Sequence, residues 1–505
     1  MDPSRRFIVT PTLVAMNVVI LLAMVSLGVS PTSPQPWDLL RFGANFGGYT
    51  AVQGEWWRLL ASAFLHYGII HLGFNMWCLW ALGNLAERMF GNSRFLVIYL
   101  LTALGGSVGS LLWHPYVISA GASGAVFGIA GALASFLYLG HIHLPPKVGR
   151  ELLTSVVFFI GINLVIGASI DGIDNAGHLG GLFVGALLGA ALRHRVTFYA
   201  AVGATLIALV GVAPAAKRVT LQSARVFETE ALILTASGDR EGALAKLEAA
   251  IERDATLPYS FMLAAQIYVE DARYDDAVRV TRRALELDPE LEQAKQVLAT
   301  ALYLGGHYEE AIPELRALVE ANPKELNNYF LLSRTYLALD RGPEAIAVLE
   351  DALTWKRDTA TVKSELGILY LELDETDRAV ASLREAVALE PRQPEHYNRL
   401  SLVLAVAGRH DEALEAVEKA LALAPNTPHI LDSLGTVRFY RRELDLALAA
   451  YREAIGRSPD EAVYYYNESV VLRAAGDEAA ADAAFAEALR LDPGFEPPRD
   501  GGPKI

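Results

Sequence analysis

The chain has 505 residues, 52% of them apolar and 20% charged, with a formal charge of −15 and a mean hydropathy slightly above zero. That balance excludes intrinsic disorder, which needs few apolar residues for its charge. The single cysteine, Cys78, excludes an intrachain disulfide framework and any zinc site built on several thiolates. The averages hide two different solvents: residues up to Gln222 hold 12 Lys and Arg against 7 Asp and Glu, and those after it hold 31 against 51.

The first part carries seven apolar stretches, Pro11 to Val29, Leu59 to Leu82, Phe95 to Trp113, Ile118 to Leu139, Leu152 to Ile170, Ala176 to Leu192 and Phe198 to Ala213. Each runs about 17 to 25 residues, the length a helix needs to cross some 30 Å of hydrocarbon. A cleaved signal peptide accounts for the first stretch at most, so the pattern predicts a polytopic helical domain in a lipid bilayer. Lys and Arg translocate poorly: Arg5 and Arg6, Arg88 and Arg94, Lys147 and Arg150, and Arg193 and Arg195 lie in the loops of one side, while the opposite loops hold Arg41 and Arg58 with Asp38 and Glu55, then Asp171 and Asp174. This predicts a cytoplasmic N-terminus. Seven crossings then put everything after Ala213 on the outer side, although Lys217, Arg218 and Arg225 pull mildly the other way.

Strongly polar side chains at bilayer depth are costly and are functional candidates by default. They are His66, His71 and Asn75 in the second stretch, Ser123 at the start of the fourth and His178 at the start of the sixth. His71 and Asn75 stand four apart and share one helical face. Ser123 lies in Gly121-Ala122-Ser123-Gly124, where glycines permit a sharp turn into a helix and leave the hydroxyl and nearby amides open. His178 is set among Gly177, Gly181, Gly185 and Gly189, a flat stripe that Gly124, Gly128 and Gly131 of the fourth stretch can match. Both stretches enter from the outer side, so serine and histidine can meet at one depth. Singly, each feature has a plain explanation: a turn, helix packing, a histidine bonded to a carbonyl. Their conjunction favours chemistry. His141 and His143 fall in a cytoplasmic loop and read as structural; Asp171 and Asp174 read as loop residues facing water.

After Gln222 the chain is periodic. Ala243, Ala277, Ala311, Ala345, Ala379, Ala413, Ala447 and Ala481 recur at 34-residue steps. Ala231, Ala265, Ala299, Ser333, Gly367, Ser401, Gly435 and Ser469 keep the same step, as do Pro289, Pro323, Pro391, Pro425, Pro459 and Pro493, with Ala255 and Arg357 in the two remaining slots. Two antiparallel helices cannot bury their apolar faces alone, and small residues where they cross let each pair close and the next pair stack. Eight units with Tyr268, Tyr336 and Tyr370 between the small positions resemble the tetratricopeptide repeat. Glu230 and Glu468 replace the apolar residue of the middle units, as expected where a terminal unit meets water. Such a resemblance implies a groove for a protein or peptide partner. Asn327, Asn398, Gln266 and Arg334 would line it, although a solvated polar face is the commoner explanation for such residues. The excess of acid after Gln222 disfavours nucleic acid as a partner.

The first part resembles the rhomboid family of intramembrane serine proteases. The resemblance runs from about Arg5 to Leu192 on Trp57-Arg58, His66, the His71 and Asn75 pair, Glu87-Arg88, Gly121-Ala122-Ser123-Gly124, and His178 with Gly181 and Gly185. Together with the apolar stretches and the repeats, it implies an all-α chain: a rhomboid-like six-span catalytic domain over 1–197, a seventh span and linker over 198–222, an α-solenoid of eight helical hairpins over 223–493, and a tail over 494–505. It further implies Ser123 as nucleophile and His178 as general base without a third acid, an oxyanion met by His71, Asn75 and the amides of Ser123 and Ala122, and Phe127 pressed on the His178 ring. Trp57 and Arg58 would shape the first outer loop, or anchor it at the membrane boundary.

The sequence has no HExxH for zinc and no paired intramembrane aspartates. A three-histidine zinc site from His66, His71 and His178 is possible in principle but strongly disfavoured, so no metal and no cofactor is expected. The expected activity is cleavage of single-span membrane proteins in a bacterial inner membrane, with an extracytoplasmic repeat array that recruits substrates or adaptors. The alternative is a non-catalytic receptor or scaffold that binds transmembrane helices and partner proteins.

Overall fold

The computed structural model describes residues 7–141, 144–170, 172–355, 359–498 and 501–504. Arg5, Arg6, His143, Asp171 and Arg357 lie outside the described residues. The chain forms two compact units, Met1–Ile267 with Arg283–Pro289, and Tyr268–Arg282 with Glu290–Ile505.

The first unit holds α1 (Val9–Ser26), α2 (Pro36–Phe42), α3 (Arg58–Ala61), α4 (Gly68–Phe90), α5 (Asn92–Trp113), α6 (Ser123–Tyr138), α7 (Pro146–Ser169), α8 (Asn175–Ala190), α9 (Arg195–Gly211), α10 (Ala213–Gln222), α11 (Ala224–Ala236) and α12 (Arg240–Arg253). Among the described residues six helical segments are long and apolar enough to cross a membrane: α1, α4, α5, α7, α8 with the turn after it, and α9 with α10; α6 is shorter. Helices α5, α6 and α8 pack centrally around Ile98, Tyr99, Ile129, Leu133 and Leu188, all fully buried. The outward faces stay apolar, with Phe158 on α7 and Ile207 and Val210 on α9 more than 70% exposed. That is the arrangement a lipid solvent requires.

Two expected boundaries move. The second crossing begins at Gly68, not Leu59, because Gly68 takes φ +86° and a side chain there would meet the Pro31 carbonyl at 2.9 Å. Leu59 to Phe64 instead folds as α3 and a short 3-10 turn, which leaves His66 ahead of the span and not inside it. The fourth crossing begins at Ser123, not Ile118, because the preceding segment pairs with loop 1, the connection from α1 to α4.

Loop 1, and the ends of α1 and α4 farthest from it, are fixed by buried charge. Arg58 donates to the carbonyls of Leu40 (2.6 Å) and Ala44 (3.2 Å), pairs with Glu55, and lies 5.0 Å from the Tyr49 ring. Across the bundle, the buried Glu87 accepts from the amides of Ile8, Val9 and Thr10 at 2.8 to 2.9 Å and from the Thr10 hydroxyl. It thereby satisfies the free N–H groups at the start of α1.

Helices α9 and α10 run the length of α5. Near the start of both α5 and α9, the Arg94 guanidinium faces the Phe198 ring at 5.7 Å; at the far end Thr220 lies against Gly47 of loop 1. The repeats therefore begin on the side of the bundle that carries loop 1 and the loop leading to Ser123. Helix α11 is seated on that side: Val226 and Ile233 join Leu39, Leu40 and Phe46 in one apolar cluster, and the Thr229 hydroxyl donates to the Tyr116 carbonyl (3.0 Å). Glu230, expected to face water, is instead covered by Gly48 of loop 1 and pairs with Lys246 at 2.6 Å.

The second unit is built of helical hairpins. The periodic alanines Ala311, Ala345, Ala379, Ala413, Ala447 and Ala481 are fully buried where helices cross. At Gly435 a side chain would meet the Tyr451 ring at 2.7 Å, so the small position is what admits the aromatic. After α12 the helices are α13 (Pro258–Glu270), α14 (Tyr274–Leu287), α15 (Glu292–Leu304), α16 (Tyr308–Ala321), α17 (Leu326–Ala338), α18 (Gly342–Leu353), α19 (Thr359–Glu372), α20 (Thr376–Leu389), α21 (Pro394–Val406) and α22 (His410–Leu423), and the last two hairpins are α23 (Pro428–Tyr440) with α24 (Leu444–Arg457), and α25 (Ala462–Ala474) with α26 (Glu478–Leu491). Glu468 on α25 also departs from expectation: it is mostly buried and accepts from the Arg452 Nε at 2.7 Å. An ion pair, not water, satisfies it.

Candidate active site

The segment before Ser123 is tied down group by group. Ser119 and Asn45 exchange both main-chain hydrogen bonds (2.8 and 2.9 Å), the Gly121 amide donates to the Ser62 carbonyl (2.9 Å), and the Tyr67 hydroxyl donates to the Ile118 carbonyl. The Ser119 hydroxyl donates to Asp174 Oδ2 at 2.8 Å. Gly121 takes φ +141°, and a side chain there would strike the His71 ring at 2.9 Å, so glycine is required both for the turn and for the approach of the imidazole. The same placement puts the His71 ring and the Ser123 hydroxyl side by side.

The two imidazoles are held in opposite tautomers by neighbouring hydrogen bonds. His71 Nδ1 accepts from the Tyr67 amide (3.2 Å), so its proton sits on Nε2, the atom that faces Gly121. Asn175 donates its Nδ2 to the Leu164 carbonyl (3.2 Å), which turns its Oδ1 toward His178 Nδ1 at 3.1 Å. A carbonyl oxygen only accepts, so His178 carries its proton on Nδ1 and keeps the Nε2 lone pair free. Phe127 stacks flat on the His178 ring, centroids 4.2 Å apart and planes 8° apart. The ring plane is thus set by packing and the rotation within it by Asn175.

Close backbone packing joins the two helices. Gly124, next to Ser123, faces Gly177 and Gly181, which flank His178; an added Cβ at Gly181 would overlap the Gly124 carbonyl, and one at Gly185 would overlap the Gly128 carbonyl. On the other side of α8, Gly109 of α5 approaches the Ala176 carbonyl so closely that a Cβ would lie 2.7 Å from it.

Several expectations for single residues change. The Ala122 amide, expected to meet an oxyanion, donates to His66 Nε2 at 3.4 Å. Asn75 Nδ2 donates back to the His71 carbonyl (3.0 Å), which leaves one of its two amide hydrogens for other work. Asp174 does not simply face water: half-buried, it caps α8 by accepting from the Gly177 amide (3.0 Å) and fastens the Ser123 loop through Ser119. Trp57 is more than half exposed, while Arg58 is buried as the organiser of loop 1. Asn175 is a site residue that sequence reasoning misses; its spacing of three before His178, one helical turn, is the signal that could find it. Among the described residues no three His, Cys, Asp or Glu side chains gather as metal ligands.

If Asn175 fixes the His178 tautomer, Asn175→Ala lowers kcat for a model membrane substrate by roughly ten-fold, short of the 10²–10⁴ that a general base supplies in full. KM stays unchanged, and Asn175→Asp, which keeps an acceptor, restores part of the rate. An unchanged kcat for Asn175→Ala would remove the residue from the site.

Comparison with known proteins finds matches for both parts of the chain. The family model for the rhomboid domain matches residues 53–195, and tetratricopeptide repeat models match 364–428 and 433–494; a model for subunit 3 of the anaphase-promoting complex matches 270–352. Rhomboid protease GluP of Bacillus subtilis is 47% identical over 154 residues, which cover 30% of this chain and 29% of that protein. Rhomboid protease AarA of Providencia stuartii is 32% identical over 200 residues, 35% of this chain and 70% of that protein. The chain thus spans less than a third of the first of these relatives and more than two thirds of the second. Among solved structures, a tetratricopeptide repeat protein from Parabacteroides merdae aligns with 53% of this chain and 99% of its own length at 16% identity and a TM-score of 0.41. With a rhomboid relative matched over most of its length, and the family's serine, histidine and glycine motifs on facing helices, the chain belongs to the rhomboid family.

Proposed function

We propose that the chain is an intramembrane serine endopeptidase that cleaves single-span membrane proteins. Ser123 Oγ attacks the scissile carbonyl carbon and passes its proton to His178 Nε2. His71 Nε2–H, the free hydrogen of Asn75 and the Ser123 amide meet the oxyanion, and a fixed donor of this kind contributes on the order of 3 to 4 kcal/mol. Collapse breaks the C–N bond, and His178 returns the proton to the leaving amine. Water then releases the acyl group by the same steps.

The observation that carries this reading is the opposite fixing of the two imidazoles, one presenting a lone pair and the other an N–H: His71 meets the Gly121 turn that leads to Ser123, and the backbone flanking His178 packs on Gly124. A protein that only bound transmembrane helices would have no use for that difference. The repeats serve as the recruiting module for substrates or adaptors, placed outside a bacterial inner membrane whose inner face holds the N-terminus. The test is labelling by a fluorophosphonate probe and cleavage of a model transmembrane substrate in reconstituted vesicles. Both are expected to vanish in Ser123→Ala and in His178→Ala. Cleavage that survives Ser123→Ala ends the protease reading.

A further inference from the structure

The last two hairpins hold a polar site that the catalytic reading does not use. Asn467 on α25 and Asp432 on α23 are both buried, and Asn467 Nδ2 donates to the two carboxylate oxygens of Asp432 at 3.0 and 3.2 Å. That pairing fixes which end of the amide is oxygen and which is nitrogen. The fixed amide then grips one residue of this chain by its main chain: Nδ2 donates to the Lys504 carbonyl (3.1 Å) and Oδ1 accepts from the Lys504 amide (2.7 Å). Beside it in the chain, the Tyr466 hydroxyl donates to the Gly502 carbonyl at 3.0 Å. Pro503 between them is buried. The Lys504 ammonium lies 4.4 Å over the Phe495 ring and donates to the Glu496 carbonyl, while Phe495 packs on Tyr466 at 5.2 Å.

A side-chain amide that supplies both a donor and an acceptor to a single residue reads extended backbone, as a strand edge does, and is indifferent to that residue's side chain. Such recognition suits any extended segment with a small residue, a proline and a long cationic side chain in succession. We propose that Asn467, held by Asp432 and joined by Tyr466, forms a binding site for an extended polypeptide segment of this kind, that Gly501–Lys504 fills it as an intramolecular stand-in, and that a partner protein docks by displacing it. This deepens the recruiting role proposed for the repeats and rests on that part of the reading alone. A tethered stand-in is present at millimolar effective concentration, so an outside peptide must either bind more tightly or arrive on a partner that makes further contacts.

The test uses the full chain in detergent carrying Ser123→Ala, so that catalysis has no bearing on the outcome. The probe is a synthetic peptide of residues 496–505 with a fluorophore at its amino end, titrated by anisotropy. A chain whose residues 501–505 are replaced by serine is expected to bind the probe at least ten-fold more tightly than the native chain. Adding Asn467→Ala to that chain is expected to weaken binding at least ten-fold, and Tyr466→Phe, which keeps the ring, by a smaller factor. Circular dichroism checks that the helices persist, and where Asn467→Ala loses them Tyr466→Phe decides. Equal binding by the native and serine-replaced chains, or binding indifferent to a folded Asn467→Ala and to Tyr466→Phe, overturns the proposal.

Discussion

A single methyl group added at Gly181 is expected to cut substrate cleavage by roughly 100-fold, the cost of a misplacement of about 1 Å between reacting groups. Gly181 sits one turn after His178, and its Cα faces the carbonyl of Gly124, the residue after Ser123; an added Cβ overlaps that oxygen. Neither partner can yield by rotating a side chain, because both are backbone within helices. The helices must separate, and separation moves His178 away from Ser123. Overpacking of this kind also destabilises by about 1 to 3 kcal/mol. Gly161→Ala on α7 and Gly203→Ala on α9, where an added Cβ meets nothing within 4 Å, serve as controls and leave cleavage unchanged. Thermal unfolding in detergent, run beside the cleavage assay, separates lost alignment from lost fold. Native cleavage rates in Gly181→Ala would mean that close contact of α6 with α8 does not align the site.

The glycine stripes were readable in the sequence because close helix packing leaves a periodic mark, and the repeats were readable for the same reason at a longer period. Motifs of residue type, Gly121 to Gly124 and His178 with its glycines, were readable because the turn and the approach need those residues and no others. What stayed hidden depends on contacts between distant segments. Nothing in the run before Ser123 announces that Asn45, Ser62 and Tyr67 will hold it, since each of those hydrogen bonds joins a main-chain group to a partner more than 50 residues away in sequence. The roles of Asp174 and Asn175 stay hidden because the groups they serve, Ser119 and the His178 ring, lie across the fold or a full turn ahead. Apolar composition likewise misplaced the start of α4: Leu59 to Phe64 is apolar enough for lipid but is spent on packing loop 1 against α5, where the Ser107 hydroxyl donates to the Leu59 carbonyl at 2.8 Å. Glu230 failed as a water-facing cap because loop 1 covers it. In each case the missing information is tertiary.

Replacing Asp432 by asparagine is expected to stabilise the repeats, and to do so more as pH rises. Burial pushes the Asp432 carboxyl from its ordinary 3.8 up to about 7, with the hydrogen bond from Asn467 opposing the shift. A carboxyl whose pKa is raised by folding binds its proton more tightly in the folded state. Its contribution is therefore fully present below pH 3.8 and is lost as pH rises through 7. The whole span corresponds to about 4 kcal/mol, at 1.36 kcal/mol for each unit of pKa. Asparagine has no charge to bury, keeps an oxygen for the Asn467 amide, and removes the dependence. Urea unfolding of the repeats in detergent, followed by circular dichroism, is expected to show Asp432→Asn gaining on the native chain by about 3 kcal/mol between pH 5 and pH 8. Parallel pH profiles for the two chains would show that Asp432 is ionised in the folded repeats at no cost. A native chain that keeps a carboxylate here despite that cost gains something asparagine would not supply. The carboxylate accepts from one Asn467 N–H through both oxygens, so the amide cannot reverse, and Asn467 keeps its remaining N–H and its oxygen pointed at the main chain of Lys504. An asparagine at 432 offers an N–H as readily as an oxygen, and so gives up that orientation in exchange for stability.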